Sequence, residues 1–285
     1  MPESPSRGAV LISGASTGIG RACTEHLDGL GFTVFAGVRK QSDADSLRDA
    51  GSGRTQPVML DVTDSESITS ALRTVDEACP GGLTGLVNNA GISVGGPLEF
   101  VPIDEWRRGL EVNFIGQVAA TQAALPALRK ARGRIVNMTS IGGRLASPFL
   151  GPYNASKYAL EAVTDALRLE LRRFGVEVAA IEPGAVATPI WEKGRAVAEE
   201  ATANMPADAL KLYGPGFAAI SKFIAQGERS GVPPLEVARV VEHALTARRP
   251  KARYVVGRDA KMRLLLTRLL PTSVMDRVVV RAMGL

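Results

Sequence analysis

Apolar residues along this chain follow two rhythms. Short unbroken runs at Ala9 to Ser13, Phe32 to Val38, Pro57 to Val62, Leu83 to Val87, Arg134 to Thr139 and Val176 to Ile181 read as strands covered on both faces. Between several of them, apolar positions recur at three- and four-residue spacing. They predict helices over 21–30, 67–78, 104–112, about 114–131 and 153–174, with Asn113 at the junction of two of them. Thr63-Asp64-Ser65-Glu66 offers capping residues to one helix, and Gly175 ends another. The alternation of strand and helix from Ala9 to Ile181 predicts an α/β fold, a doubly wound parallel sheet with helices on both faces. Ligands of such sheets bind beyond the carboxyl ends of the strands.

Further on, 233–247 reads as a helix and Arg253 to Gly257 as a last edge strand. Between Ala185 and Gly231, apolar and aromatic residues (Pro189, Trp191, Met205, Leu212, Tyr213, Phe217, Ile220, Phe223, Ile224) stand in helical stretches that Gly214, Pro215 and Gly216 should break. After the last strand, Met262, Leu265, Leu266, Leu269 and Leu270 fall at helical spacing. Beyond Pro271 the pattern resumes with Val274, Met275, Val278, Val279 and Ala282.

At 285 residues the chain can bury a sizeable core. Its net charge of +5 is uneven: from Arg239 onward there are eleven Lys or Arg against three acids. Such a tail suits an anionic membrane surface as an interfacial helix, or it packs over a pocket or a subunit interface. Zinc spacings, recognition helices and aromatic-basic RNA motifs are lacking, so nucleic acid is not expected as a partner. Cys23 and Cys79 make no disulfide framework and read as buried free thiols. The polar opening Met-Pro-Glu-Ser-Pro-Ser-Arg and the lack of an apolar run of about 18 residues lead us to expect a cytoplasmic protein.

Three stretches carry candidate chemistry. Gly14-Ala-Ser-Thr-Gly18-Ile-Gly20 joins the first strand to the first helix. Its glycines allow a tight turn, and the helix N-terminus offers free N–H groups to a phosphate. Its spacing differs from the G-x-G-x-x-G fingerprint, and a glycine turn without a ligand would look alike. At the end of the second strand, where an acid would bond a ribose 2′-hydroxyl, Arg39 and Lys40 stand instead. They suit a 2′-phosphate, or are two solvated cations. Third, Ser140 closes the strand at 134–139, and Tyr153 and Lys157 share one face of the helix that follows. A phenol beside an ammonium is a proton donor, with its pKa expected to be lowered by the cation, and a serine hydroxyl can hold a carbonyl against it. Taken alone, the pair also fits a solvated lysine beside a half-buried tyrosine.

Taken in order, Gly14-x-x-x-Gly18-Ile-Gly20, Asp61-Val62, Asn88-Asn-Ala-Gly91, Asn113, Ser140, Tyr153-x-x-x-Lys157 and Pro183-Gly184 resemble the short-chain dehydrogenase/reductases of the classical type. The likeness covers about Ala9 to Thr188, with a weaker echo from Pro233 to Gly257. It implies a Rossmann-type catalytic domain over 1–285: a core at 8–188, a helical substrate lid at 189–232, a last helix and strand at 233–257 and a C-terminal extension at 258–285. The resemblance also implies a catalytic set of Asn113, Ser140, Tyr153 and Lys157. Gly14, Ser16, Thr17, Gly18, Ile19 and Gly20 would hold the pyrophosphate and adenosine ribose of NADP(H), preferred over NAD(H), with Arg39 and Lys40 at the 2′-phosphate. Asp61 and Val62 would flank the adenine, and Asn89, Ala90 and Gly91 would wall the cofactor. Pro183, Gly184, Val186 and Thr188 would seat the nicotinamide, Val186 through its backbone. Lys157 would bond the nicotinamide ribose, and Asn113 would hold a water linking Lys157 to solvent.

The substrate side would include Leu145, Phe149, Trp191, Tyr213 and Phe217 along with Ser140 and Tyr153. Their apolar character points to a lipophilic carbonyl or alcohol, and the extended basic tail resembles the steroid and retinol dehydrogenase branch. A 3-oxoacyl thioester reductase and a non-catalytic NADP-binding sensor are the alternatives. A homo-oligomer, dimer or tetramer, is expected from the family.

Overall fold

The computed structural model describes residues 7–192, 194–195, 199 and 206–283. Its elements run β1 (Ala9–Ile12), α1 (Gly18–Gly29), β2 (Thr33–Val38), α2 (Gln41–Ala50), β3 (Thr55–Met59), α3 (Ser65–Ala78), β4 (Gly85–Asn88), α4 (Ile103–Leu110), α5 (Gly116–Ala131), β5 (Arg134–Met138), α6 (Gly151–Glu170), β6 (Glu177–Pro183), α7 (Ala207–Ser230), α8 (Pro234–Thr246), β7 (Arg253–Val256), α9 (Arg258–Leu269) and α10 (Thr272–Met283). The strands form one parallel sheet in the order β3-β2-β1-β4-β5-β6-β7. The order reverses between β1 and β4, and that switch point opens a crevice at the carboxyl edge.

Alternation along the strands divides their side chains between two cores. Val10, Ile12, Val34 and Val136 face Leu27 of α1 and Val237 and Val241 of α8. Leu11, Phe35, Leu86 and Ile135 face Ile68 and Leu72 of α3 and Leu128 of α5. Each such side chain, fully buried, contributes about 1.5–3 kcal/mol. Asp64 caps α3 by accepting from the Glu66 N–H at 2.9 Å, a contact worth about 1 kcal/mol. Inside the sheet, Asn88 donates to Asn137 and Thr121, and Asn137 donates to Thr164, each at 2.8 Å. These bonds tie β4 and β5 to α5 and α6 directly beneath the crevice.

Several elements differ from the sequence reading. Helix α2 was not expected, because only Ala44 and Leu47 of its ten residues turn inward. Strand β3 stops at Met59, so Asp61 lies in the loop beyond it. Helix α6 begins at Gly151, with Pro152 in its first turn. The junction at Asn113 is a π-helical turn, Glu111–Ile115. Gly214, Pro215 and Gly216 do not break the lid: α7 runs through all three. Gly216 has a packing reason within the helix, since a Cβ there would lie 2.0 Å from the Phe149 ring. Met205 and the side chains of Phe223 and Ile224 lie outside the described residues. Cys23 is buried, with its thiol pushed up to about 12 by burial, whereas Cys79 is partly exposed at the end of α3.

Candidate active site

The loop after β1 is built for close approach. Gly14 and Gly18 have φ of +65° and +58°, the left-handed region that favours glycine. A Cβ on Gly20 would fall 2.1 Å from the Gly14 carbonyl and 2.5 Å from Asn89 Nδ2. Asn89 clamps the loop by donating to the carbonyls of Ser13 and Gly14, both at 3.0 Å. Ser13 Oγ in turn accepts from the N–H groups of Asn89 and Ala90. Thr17 makes no side-chain cap on α1, and the first turn carries no acid, so its N–H groups and positive dipole end face an open crevice. That arrangement fits a pyrophosphate.

A cleft of about 1480 Å³ follows this edge of the sheet. Gly14, Ser16, Thr17, Gly18 and Ile19 line it, whereas Gly20 is buried against the Gly14 carbonyl and does not reach the cleft surface. Arg39 and Lys40 stand exposed at one end beside Asp61 and Val62. Burial works to raise the Asp61 carboxyl, but two hydrogen bonds from Thr63 and the charge of Arg39 bring it below the usual range. Asp61 therefore stays ionised, and Arg39 is drawn to the same end of the cleft. Asn89, Ala90 and Gly91 line it on the β4 side, and Pro183, Gly184, Val186 and Thr188 line it after β6. A Cβ on Gly18 would lie 3.2 Å from that of Thr188, so the segment after β6 rests on the start of α1. The Val186 carbonyl accepts the Trp191 indole N–H at 2.7 Å.

At mid-cleft, Ser140, Tyr153 and Lys157 meet. The Tyr153 phenol lies close enough to the Ser140 hydroxyl to feel it as a polar partner, and that hydroxyl accepts from the Gly142 N–H at 3.0 Å. Lys157 is buried, donates to the Met138 carbonyl at 2.8 Å, and holds its ammonium 5.9 Å from the Tyr153 ring centre. The expected lowering of the phenol pKa is not found. Burial raises it, opposed only by the Ser140 hydroxyl, while burial also depresses Lys157 to about 8, opposed by the charge of Glu161. In this arrangement the phenol is protonated at neutral pH.

Asn113 is buried behind Gly91 rather than on the cleft wall. Its amide donates to the Ile92 carbonyl and Ser156 Oγ, and its Oδ1 accepts from the Ile92 N–H. Both side-chain donors are spent, so they are not available to a water.

On the substrate side, Leu145, Phe149, Trp191 and Phe217 line the cleft, joined by Leu266, Met275, Val278 and Val279 of the two C-terminal helices. Phe149 has φ +64°, a conformation that costs a non-glycine residue about 1 kcal/mol or more. Its carbonyl accepts from the Gly96 N–H at 2.7 Å, and its ring packs on Phe217. Tyr213 departs from its expected place. Its ring stands edge-on to Phe149 and Phe100, and its hydroxyl donates to Glu99 at 2.9 Å, so it buttresses Phe149 from outside the cleft wall.

Sequence reasoning passed over Asn154, one residue after Tyr153. Its amide donates to the Gly142 carbonyl at 2.8 Å and accepts from the Ser147 N–H at 3.0 Å, pinning the loop that carries Ser140 and Phe149. Gln117, which donates to the Ala90 carbonyl, was missed as well. A polar residue on a helix face turned toward a candidate loop was the available signal in both cases.

The chain belongs to the short chain dehydrogenase family, whose model matches residues 8–198. It is thus an oxidoreductase with an NAD(P)-binding Rossmann fold. It is 41% identical to 17-beta-hydroxysteroid dehydrogenase type 6 of Bos taurus, over 96% of this chain and 88% of that protein. It is 38% identical to retinol dehydrogenase 5 of Homo sapiens, over 94% and 86% of the two chains. Among solved structures, a short chain dehydrogenase/reductase from Burkholderia phymatum in complex with NAD superposes with a TM-score of 0.77 at 26% identity, covering 94% of this chain and 96% of that one.

Proposed function

We propose that this protein interconverts a secondary alcohol and a ketone, or an alcohol and an aldehyde, on a lipophilic steroid- or retinoid-like substrate, using NADP(H) in preference to NAD(H). The observation that carries the reading is the Tyr153 phenol, next to Ser140 and beside buried Lys157 on the cleft wall. When bound, a reduced nicotinamide supplies the hydride to a carbonyl carbon. This chain's residues handle the proton and the charge. Ser140 donates a hydrogen bond to the substrate oxygen, and Tyr153 gives it the phenolic proton as charge grows there. Lys157, charged below about pH 8, stabilises the phenolate left behind. In the reverse direction the phenolate is the base. A water chain from Lys157 would use the main chain of Asn113, since both donors of its side chain are committed.

The residues fit a dinucleotide: the cradle at Gly20 admits no Cβ, the start of α1 has no capping acid, and Arg39 sits where a 2′-phosphate would arrive. Arg39→Ala should weaken NADPH binding by about tenfold to a hundredfold while leaving NADH binding within about twofold. Titration calorimetry with both cofactors checks this, and an unchanged preference would reject the phosphate role.

The apolar wall from Leu145 to Val279 and the two named relatives support the lipophilic substrate, and the relatives weigh against a 3-oxoacyl thioester. Helices α9 and α10 also turn Met262, Leu265 and Leu269 to solvent among Lys261, Arg268 and Arg277. That face would hold the enzyme against an anionic bilayer as a peripheral contact. Co-sedimentation with phosphatidylserine vesicles at low salt should fall at least about threefold when the three apolar residues become serine. No helix among the described residues is long and apolar enough to cross a membrane.

A further inference from the structure

Five charged residues that do not line the cleft gather against the turn carrying Lys157. Glu161 follows Lys157 by one turn on α6, and both are buried. Arg253 of β7 donates through Nε to Glu161 at 3.0 Å and through Nη2 to Asp165 at 2.6 Å, and its Nε lies 3.1 Å from Glu182 of β6 as an ion pair. Arg144, from the loop after Ser140, donates to Glu182 at 3.1 Å. Glu161 Oε1 and Glu182 Oε2 are buried with no hydrogen-bond partner among the described residues. The loop presses directly on this turn: a Cβ on Gly143 would lie 2.8 Å from the Lys157 carbonyl and 3.0 Å from Glu161 Cγ.

Packing alone does not call for this. Apolar residues of equal volume would fill the space at no greater cost, and unpaired carboxylate oxygens are expensive. The exposure is also lopsided. The two arginine side chains keep 29–30% of their surface in water, whereas the Glu161 and Glu182 side chains keep 6% and 0%. Solvent screens the cations from outside, and the less-screened negative charge faces inward. The nearest buried cation without a carboxylate in hydrogen-bond contact is Lys157.

We infer that Glu161 is a positioning residue for Lys157: its carboxylate, gripped by Arg253 and backed by Glu182, keeps the buried amine protonated and fixes the turn that presents it to Tyr153. The inference rests on the reading of Tyr153 and Lys157 given above. The directions of titration agree with it. Burial drives Lys157 down to about 8 and the Glu161 charge opposes that descent. The Glu182 carboxyl is raised by burial and by Glu161, against the pull of Arg144 and Arg253. Besides these, Tyr153, Tyr158 and Asp165 on α6 are titratable neighbours of the turn, Tyr158 being raised by burial against the charge of Arg144.

The sign of the effect follows. The ammonium is lost as pH rises through its midpoint, so removing the Glu161 charge moves that loss to lower pH. In the cofactor-free protein, a carbon NMR titration of labelled lysine, with Lys157 assigned by the signal missing from Lys157→Arg, should give a midpoint near 8 for the wild type. Glu161→Gln, which keeps a hydrogen-bond acceptor for Arg253, should lower it by about one unit. The alkaline limb of kcat/KM should move down by the same amount. Turnover should then stay within about threefold of wild type at pH 6 and fall about fivefold at pH 8, and Glu161→Asp should restore the limb.

A Glu161→Gln protein with a lower melting temperature but an unmoved Lys157 midpoint would overturn the inference and leave Glu161 a packing residue. Should that variant fail to fold, the wild-type titration decides: a midpoint below about 6, where unsupported buried lysines titrate, would also overturn it. Tyr153→Phe separates the two levels. If it still turns over, the reading of the site fails; if it is inactive and the midpoint does not move, only the role of Glu161 fails.

Discussion

Tyr153→Phe is expected to lower turnover by about 10³-fold, within the range that a positioned general acid contributes. NADPH binding should stay within about threefold of wild type, because the ring remains and only the polar contact of its hydroxyl with Ser140 is lost. The direction of the phenol shift adds a pH signature. Burial holds the proton on, so carbonyl reduction should run well at and below neutral pH. Oxidation needs the phenolate and should rise with pH until Lys157 loses its charge above about 8. Steady-state rates in both directions check this, and full activity without the hydroxyl would mean that the proton comes from elsewhere.

Gly20→Ala should abolish cofactor binding through geometry alone. A Cβ at that position would meet the Gly14 carbonyl at 2.1 Å and Asn89 Nδ2 at 2.5 Å, and neither is the free end of a flexible chain. Asn89 is committed to two carbonyls of the same loop, so moving it opens the turn between β1 and α1. We expect NADPH affinity to fall at least about a hundredfold and stability to fall by about 2 kcal/mol, as overpacked sites do. Calorimetry and thermal unfolding measure the two. A variant that binds NADPH normally would show that the loop yields, and that its close approach is not what shapes the phosphate site.

The features legible from sequence are those whose meaning is local. Strands covered on both faces appear as apolar runs, so the order of β1 to β6 could be read directly. Tyr153 and Lys157 share a helix face because four residues make a turn, whatever else the fold does. The start of α1 announced itself through glycines that a tight turn requires.

Features decided by distant partners could not be read in that way. Helix α2 has two inward residues, too few for a period, and forms because Ala44 and Leu47 complete the core beside β2. Glycine and proline predicted a break in α7, yet the helix runs on, and Gly216 serves there as the position that lets the Phe149 ring approach its backbone. Tyr213 looked like substrate lining until Glu99, 114 residues away, claimed its hydroxyl. Glu161, Glu182, Arg144 and Arg253 become one group only because β6 lies between β5 and β7. The pKa of Tyr153 had the wrong sign for a related reason. A sequence reveals a neighbouring cation, but the depth at which a phenol is buried belongs to the fold.

Deuteride transfer puts the chemistry to the sharpest test. Purified protein should be incubated with NADPH deuterated at C4, with each face labelled in turn, and with a panel of steroid and retinoid carbonyls, the products being read by mass spectrometry. For at least one carbonyl, one of the two labels should place a single deuterium on the new carbinol carbon, and Tyr153→Phe should suppress it. Bound NADPH that delivers no deuterium to any carbonyl, or a label that Tyr153→Phe transfers as fast as wild type, would contradict the account.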